Sequence, residues 1–185
     1  MLAKEMAKQS LPLLIFCGIG GILAGSTLGV MTDILEKIPG LIVVIPAIIA
    51  MRGNISTAFG SRLGSAYHLG VIDADNMWNE ELKQNVIGSL FLSLIISTII
   101  GILAYFSSVL LGVTPDFLML ITIVLLAGII SAVILTIMTI VIIYLVFKRG
   151  YDPDNITGPA LATFGDIVTM LCIFGSASFV VGVML

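Results

Sequence analysis

Charged side chains are scarce in this chain. Only 10% of its 185 residues are Asp, Glu, Lys or Arg, whereas soluble domains carry about 25%. Hydrophobic residues make up 59% of the sequence, and the mean hydropathy is +1.21. Uncharged runs long enough to cross a hydrocarbon core of about 30 Å recur along the chain. This composition excludes a soluble domain and predicts an all-α polytopic membrane protein.

Histidine and cysteine are nearly missing as well. The chain has one histidine, His68, and two cysteines, Cys17 and Cys172, which lie inside apolar segments. Zinc and copper sites are built from clusters of these ligands, so a soft-metal site is not expected. We interpret the two cysteines as small buried apolar residues. There is also no ATP-binding motif that would drive active transport, and neither an enzyme nor a nucleic-acid partner is expected.

Five apolar segments predict five transmembrane helices. The second has only fourteen uncharged residues before Arg52, short of the roughly 20 that a spanning helix needs. It therefore either continues into residues 53–69 or stops inside the protein. The first segment resembles a signal sequence, but because four more follow we interpret it as a retained helix. The five segments are residues 11–31, 38–51, 84–107, 117–147 and 156–184.

The distribution of lysine and arginine predicts the orientation. With the N-terminus inside, the inner segments hold seven basic residues and the outer loops hold one, Lys37. Basic residues accumulate on the cytoplasmic side, so we expect a cytoplasmic N-terminus and an external C-terminus. Because five is an odd number and no internal repeat is evident, a two-fold pore requires a homodimer. The seven inner residues are Lys4, Lys8, Arg52, Arg62, Lys83, Lys148 and Arg149.

Glycines recur at helical spacing in the first segment. Gly21, Gly25 and Gly29 are four residues apart, so they share a helix face that lets another helix approach closely. This face predicts tight packing either within the chain or between two chains, and the spacing alone does not choose between them.

Asp166 is the one charged residue of the last apolar segment. Every other side chain of residues 158–185 is apolar or a small hydroxyl. A carboxylate at membrane depth costs at least ~2.5–3.5 kcal/mol, so such residues usually face a bundle interior or a water-filled path. The alternative is a solvated carboxylate at the inner interface, because only nineteen residues follow it.

The helical neighbours of Asp166 offer oxygen ligands. Thr163 and Ala162 lie three and four residues before it, and Pro159 lies seven before it on the same face. Proline has no N–H, so it leaves a backbone carbonyl one turn earlier without a helical partner, and Gly158 keeps the surface narrow. Mg²⁺ and Ca²⁺ prefer oxygen ligands, and one carboxylate is too few to strip Mg²⁺ of its waters. Two Asp166 side chains in a dimer can hold a largely hydrated ion.

A polar stretch, "RGNISTAFGSRLGSAYHLG", follows the second apolar segment at residues 52–70. Asn54 offers an amide oxygen, and Gly53 and Gly60 permit a break or a close approach. We predict that this stretch lines a pore near its inner mouth. The alternative is a separate amphipathic helix lying at the membrane interface. Its anchors would be Arg62, Tyr67 and His68.

Two acidic loops share the pattern Asp-x-Asp-Asn, at residues 73–76 and 152–155. With the orientation above both lie inside the cell, where they either draw in cations or form solvated loops and helix caps. The first loop does not follow the EF-hand pattern, and for it the solvated loop is the preferred interpretation.

Two longer segments carry a family resemblance. "PAIIAMRGNISTAFGSRLGSAYHLG" and "DPDNITGPALATFGDIVTM" resemble the signature segments of the MgtE-type magnesium transporters, most closely their eukaryotic solute-carrier branch. The resemblance covers essentially the whole chain. It implies a divalent-cation transport domain that works as a homodimer with its pore at the subunit interface. It also implies that Asp166 binds Mg²⁺ with help from Ala162 and Gly158, and that Gly53 and Asn54 lie near the pore.

The chain also departs from the family pattern. Bacterial members carry a large cytoplasmic sensor before the membrane domain, whereas about ten residues stand there in this sequence. Eukaryotic relatives hold two copies of the unit in one chain. We therefore expect a single membrane domain over residues 1–185, without a sensor, in the cell membrane. A sodium-coupled exchanger, an accessory subunit that does not transport and an intramembrane aspartyl protease are the alternatives to a passive transporter.

Overall fold

The computed structural model contains helices as its only regular elements within the part of the chain it describes. The backbone is described over residues 2–72, 77–149 and 153–184, and the side chains from residue 11 onward within those ranges, except at 13 and 153–156. The acidic loop at 73–76, and Asp152 of the second loop, lie outside the described residues. The helices are α1 (Leu2–Val30), α2 (Thr32–Lys37), α3 (Leu41–His68), α4 (Glu80–Leu110), α5 (Phe117–Lys148) and α6 (Pro153–Met184).

Four of these helices are long and apolar enough to cross a membrane, namely α3, α4, α5 and the Thr157–Met184 part of α6. In α1 the described apolar part, Leu14–Val30, is shorter. The predicted class, an all-α polytopic membrane protein, is confirmed. The last three predicted segments agree with α4, α5 and α6 to within four residues at each end.

Of the two courses left open for the second predicted segment, the structure has the first: the helix continues into residues 53–68. The chain does not leave the helix at Arg52, because α3 runs unbroken for 28 residues to His68. Neither Gly53 nor Gly60 interrupts it, and residues 53–68 do not form a separate interfacial helix. The sequence allowed either a break or a close approach at these glycines, and the structure has the close approach: a Cβ on Gly60 would lie 2.9 Å from Leu161 of α6.

Packing explains why α3 continues. Phe59 and Leu63, which lie beyond Arg52, are each 1% exposed. The ring of Tyr67 stacks on Phe147 of α5 with the ring centroids 3.6 Å apart and an interplanar angle of 8°. An aromatic pair of this kind contributes about 0.5–1.5 kcal/mol beyond its buried area. The second half of α3 therefore packs against the bundle, as the first half does.

The last helix occupies the centre of the arrangement. α6 packs against α1, α3 and α5, and α4 lies outside it against α3 and α5. Buried apolar residues such as Ile123, Leu161 and Ile173, each 0% exposed, fill the space between these helices. Because lipid tails are as apolar as such side chains, close packing and interhelical hydrogen bonds drive the association of helices inside a membrane.

A stripe of small residues that the sequence analysis missed joins α4 to its neighbours. These residues recur every three or four positions and are buried, and small residues let helix backbones approach. Three of the four hydroxyls are satisfied within α4: the Oγ of Ser89 donates to the carbonyl of Val86, that of Ser93 to the carbonyl of Ser89 at 2.6 Å, and that of Ser108 to the carbonyl of Ala104 at 2.7 Å. The Oγ of Ser97 instead donates to the Sδ of Met51 on α3. The stripe is Ser89, Ser93, Ser97, Gly101, Ala104 and Ser108.

Replacing Tyr67 with leucine tests the continuity of α3. The substitution removes the stack on Phe147 while it keeps an apolar side chain, so the last two turns of α3 should lose about 1 kcal/mol of local stability. Hydrogen exchange of the amides of residues 60–68 is expected to become about fivefold faster. His68→Leu changes the exposed neighbour on the same turn and should leave exchange unaltered. Equal exchange in both variants and the wild type would show that the stack does not hold this segment.

Candidate functional site

The helices α3 and α6 meet through glycine. A Cβ atom built on Gly165 would lie 3.9 Å from the Cα of Gly53, so the two backbones approach each other there with room for no more than a methyl group between them. Further along α3, a Cβ on Gly60 would lie 2.9 Å from Leu161 and 3.1 Å from Thr157. Residue numbers rise on α3 as they fall on α6, so the helices are antiparallel. The two signature segments, far apart in sequence, therefore lie side by side.

One side of this crossing carries small and polar residues and is not covered by the rest of the chain. With 100° between successive residues, Asn54 and Asp166 point to the same side of the Gly53–Gly165 contact. Asn54 and Ala162 are exposed, and Gly53, Gly158 and Asp166 are half-buried. We call this surface the polar face. It consists of Gly53, Asn54, Ala58, Ser61, Gly158, Ala162 and Asp166.

Asp166 supplies the charge of the polar face. Gly158, Ala162 and Asp166 are spaced by four residues along α6, so they line one edge of it. Among the described residues no lysine, arginine or histidine nitrogen lies within 4 Å of the Asp166 carboxylate. The carboxylate is therefore free to interact with a cation that enters the face.

The structure turns Thr163 away from this face. The side chain is 4% exposed, and its methyl group packs against Gly20 of α1. Its Oγ1 donates a hydrogen bond to the carbonyl of Pro159 at 3.0 Å, and the Sγ of Cys17 lies 3.6 Å from the same oxygen. Five of the six predicted ligand positions thus share the polar face, whereas Thr163 lies at the contact between α1 and α6.

The first helix makes its close approach through a glycine that the sequence analysis did not single out. Gly20 is buried against Thr163, whereas a Cβ on Gly21, Gly25 or Gly29 would meet nothing within 4 Å. Within the described part of the chain, that glycine stripe is not used for packing. The face predicted from the four-residue spacing is therefore open to another molecule.

Arg52 is the residue that the sequence analysis placed wrongly. It was expected near the inner mouth of a pore, but it lies inside α3 and is 2% exposed. Its Nη2 lies 3.8 Å from the Sδ of Met51, and its Nε has no hydrogen-bond partner in the described structure. Since α3 passes through this position, Arg52 no longer counts as an inner loop residue. Six inner basic residues remain against Lys37, so the predicted orientation keeps its basis.

A single copy of the chain does not offer a complete set of metal ligands. Among the described residues there is no group of three or more His, Cys, Asp or Glu side chains that could surround an ion. The polar face of one chain provides one carboxylate, one amide and the hydroxyl of Ser61. This set suits a hard cation that keeps most of its water, and it does not suit zinc or copper.

A bundle of apolar helices with a carboxylate on a small, uncovered polar face has the features of a membrane cation-transport domain. The family model MgtE, described as a divalent cation transporter, matches residues 45–176. The chain therefore belongs to this family, and the match includes both Gly53 and Asp166. The resemblance predicted from the two signature segments is confirmed.

Curated relatives agree with this assignment. The chain is 28% identical to solute carrier family 41 member 2 of Gallus gallus and 27% identical to that of Homo sapiens, over 175 residues and 89% of the chain in each case. It is 25% identical to solute carrier family 41 member 3 of Rattus norvegicus over 179 residues, which is 92% of the chain. The chain spans 30% of the length of the first two relatives and 38% of the third.

Replacing Gly165 with leucine tests whether the glycine contact assembles the site. A side chain of this size cannot fit against the Gly53 backbone, so α6 has to move away from α3 at a cost of about 1–3 kcal/mol. The melting temperature in detergent is expected to fall by several degrees. Gly175→Leu, on the same helix but with nothing within 4 Å of its Cβ position, is the matched control. A similar loss in both variants would show that helix propensity, and not the contact, sets the cost.

Proposed function

We propose that the chain is the membrane domain of a Mg²⁺ transporter and that the ion passes along the polar face between two copies of the chain. The observation that carries this proposal is the placement of Asp166. Its carboxylate is half-buried on a surface that the chain's own helices leave uncovered. Such a group is unfavourable against lipid and marks ion pathways when it faces water. Family membership supports transport in place of catalysis.

A homodimer provides the cover that this face needs. A two-fold axis brings the same patch of both subunits together, so two Asp166 carboxylates face one ion. Together they hold a divalent ion that keeps most of its water, as Mg²⁺ requires. Asn54 adds an amide oxygen from each copy, and the absence of a large side chain at Gly158 and Ala162 leaves room for the hydration shell. The uncovered stripe of Gly21, Gly25 and Gly29 adds a second surface for packing between copies.

The proposed topology has five membrane-crossing helices, α1 and α3–α6, in one domain over residues 1–185. The packing of α1 on α6 supports its inclusion as the first span. With six inner basic residues against Lys37 outside, the N-terminus lies in the cytoplasm and the C-terminus outside. The domain is then a multi-pass protein of the cell membrane.

Mg²⁺ flux should depend on the carboxylate of Asp166. Purified protein in liposomes should admit Mg²⁺ without a sodium gradient, and Asp166→Asn should reduce the initial rate at least tenfold because the amide keeps the shape but loses the charge. A Mg²⁺-sensitive dye inside the liposomes measures the rate. Asp33→Asn, the same chemical change at an exposed residue of α2, should leave the rate unaltered.

The other outcomes separate the remaining candidates. If the wild type admits Mg²⁺ only when a sodium gradient is imposed, the domain is an exchanger. If it admits none under either condition, while Asp166→Asn alters assembly, the chain is an accessory subunit. Equal rates in the wild type and Asp166→Asn would remove Asp166 from the pathway.

Cysteine labelling tests whether water reaches the polar face. In a background with Cys17→Ser and Cys172→Ser, Ala162→Cys should react with a charged, membrane-impermeant thiol reagent, and millimolar Mg²⁺ should slow the reaction several-fold. Leu171→Cys is the control, because Leu171 is also exposed, at 53%, but lies on another side of α6. It should react slowly because lipid covers it. Slow reaction at both positions would show that lipid also covers the polar face.

A further inference from the structure

Two opposite charges lie deep in the described helices. Arg52 is eleven residues from the start of α3, and Asp166 is thirteen from the start of α6. The other charged residues among the described side chains lie in α2, in loops or within two turns of a helix end. In a membrane domain these two residues therefore dominate the electrostatics of the hydrocarbon layer.

The glycine contact sets these charges at the same level. Arg52 precedes Gly53, and Asp166 follows Gly165, so each lies one residue, about 3.8 Å of Cα spacing, from the point where the backbones approach most closely through glycine. They lie on opposite sides of that point. Asp166 points to the polar face, whereas Arg52 belongs to the core-facing stripe of α3 with Ile48 and Ser56.

Arg52 has no counter-charge in its own surroundings. Among the described residues no carboxylate oxygen lies within 4 Å of its guanidinium. Its Nη2 donates to the sulfur of Met51, and its Nε has no hydrogen-bond partner among those residues. The same sulfur accepts from the Oγ of Ser97 of α4 at 4.0 Å. A buried cation with neutral neighbours projects its field through the low-dielectric interior, where charge interactions are stronger than in water.

We infer that Arg52 is the internal counter-charge of Asp166 and limits the affinity of the polar face for divalent cations. This inference deepens the proposed function and rests on it. In a dimer, two Asp166 carboxylates and two Arg52 guanidinium groups sum to zero when the face holds no ion. The empty face then needs no tightly bound cation to balance it. An entering Mg²⁺ is attracted by nearby carboxylates and repelled by more distant, buried guanidinium groups, so it binds weakly enough to leave again, as conduction requires.

The test is a Mg²⁺ titration of the purified full chain in detergent, followed by the rise in melting temperature. Arg52→Met keeps the length and apolar stem of the side chain but removes its charge. The Mg²⁺ concentration of half-maximal effect is expected to fall about tenfold. Arg62→Met is the matched control: it removes the same charge from α3 at an exposed position, where water and salt screen it, and should shift the midpoint less than twofold.

A second measurement does not depend on Mg²⁺ binding. Melting temperatures are compared in EDTA for the wild type, Arg52→Met, Asp166→Asn and the double variant. If the two charges attract, Arg52→Met should lower the melting temperature more in the wild type than in the Asp166→Asn background. An unfolded Arg52→Met would be replaced by Arg52→Gln in both measurements.

The two measurements separate the inference from the function on which it rests. If Asp166→Asn does not change the Mg²⁺ response of the wild type, the proposed ion site fails whatever Arg52 does. If Asp166→Asn abolishes that response but Arg52→Met shifts the midpoint no more than Arg62→Met, the inference is overturned and the site stands. Identical effects of Arg52→Met in both backgrounds in EDTA would also overturn it, since the charges would then not interact.

Discussion

The contact between Gly53 and Gly165 is the constraint on which the rest of the site depends. It lets the backbones of α3 and α6 approach to within about a methyl group of each other, and the antiparallel course of the helices then sets Asn54 and Asp166 on the same side. A side chain larger than methyl at Gly165 separates these groups. Small residues such as Ala58 and Ala162 continue along both helices. No large side chain therefore projects from the surface at these positions on either side of the contact. The polar face is therefore a product of backbone packing as much as of its polar groups.

The electrostatics of the bundle follow from the same contact. Because the helices approach closely, Arg52 and Asp166 lie at the same level along them, although no ion pair joins the two residues. Arg52 is on the core-facing side of α3, and Asp166 is on the polar face. Pairing them directly would neutralise the carboxylate and remove the cation site. Leaving them on opposite sides of the glycine contact keeps the carboxylate available and still balances its charge over a longer distance. This intermediate arrangement suits the weak ion binding that conduction needs, as the proposed role of Arg52 requires.

The sequence predicted the class and the three C-terminal helices, because apolar runs are local signals. A lone carboxylate and two long motifs also indicated five of the residues that lie on the polar face. It left open whether the second span stops near Arg52 or continues past it. The burial of Phe59 and the stacking of Tyr67 on Phe147 depend on residues far along the chain, so a local pattern cannot report them. Thr163 was misjudged as a neighbour of the polar face for a related reason. Its spacing of three from Asp166 leaves a 60° difference in direction, and the packing of Gly20 decides which way the side chain faces.

The uncovered polar face also bears on how the domain assembles. Within a bundle, a helix at the centre normally buries its polar groups among its neighbours, and α6 does so with Thr163, whose hydroxyl bonds to Pro159. Asp166 lies on the same central helix but points out of the bundle, at a depth where lipid offers no hydrogen bond. A chain that places its one deep carboxylate there is stable in a membrane only when water or another protein surface meets it. In the proposed homodimer a second copy supplies both at once, because two small-residue faces leave room for water between them. In that proposal, dimerisation and ion binding depend on one surface.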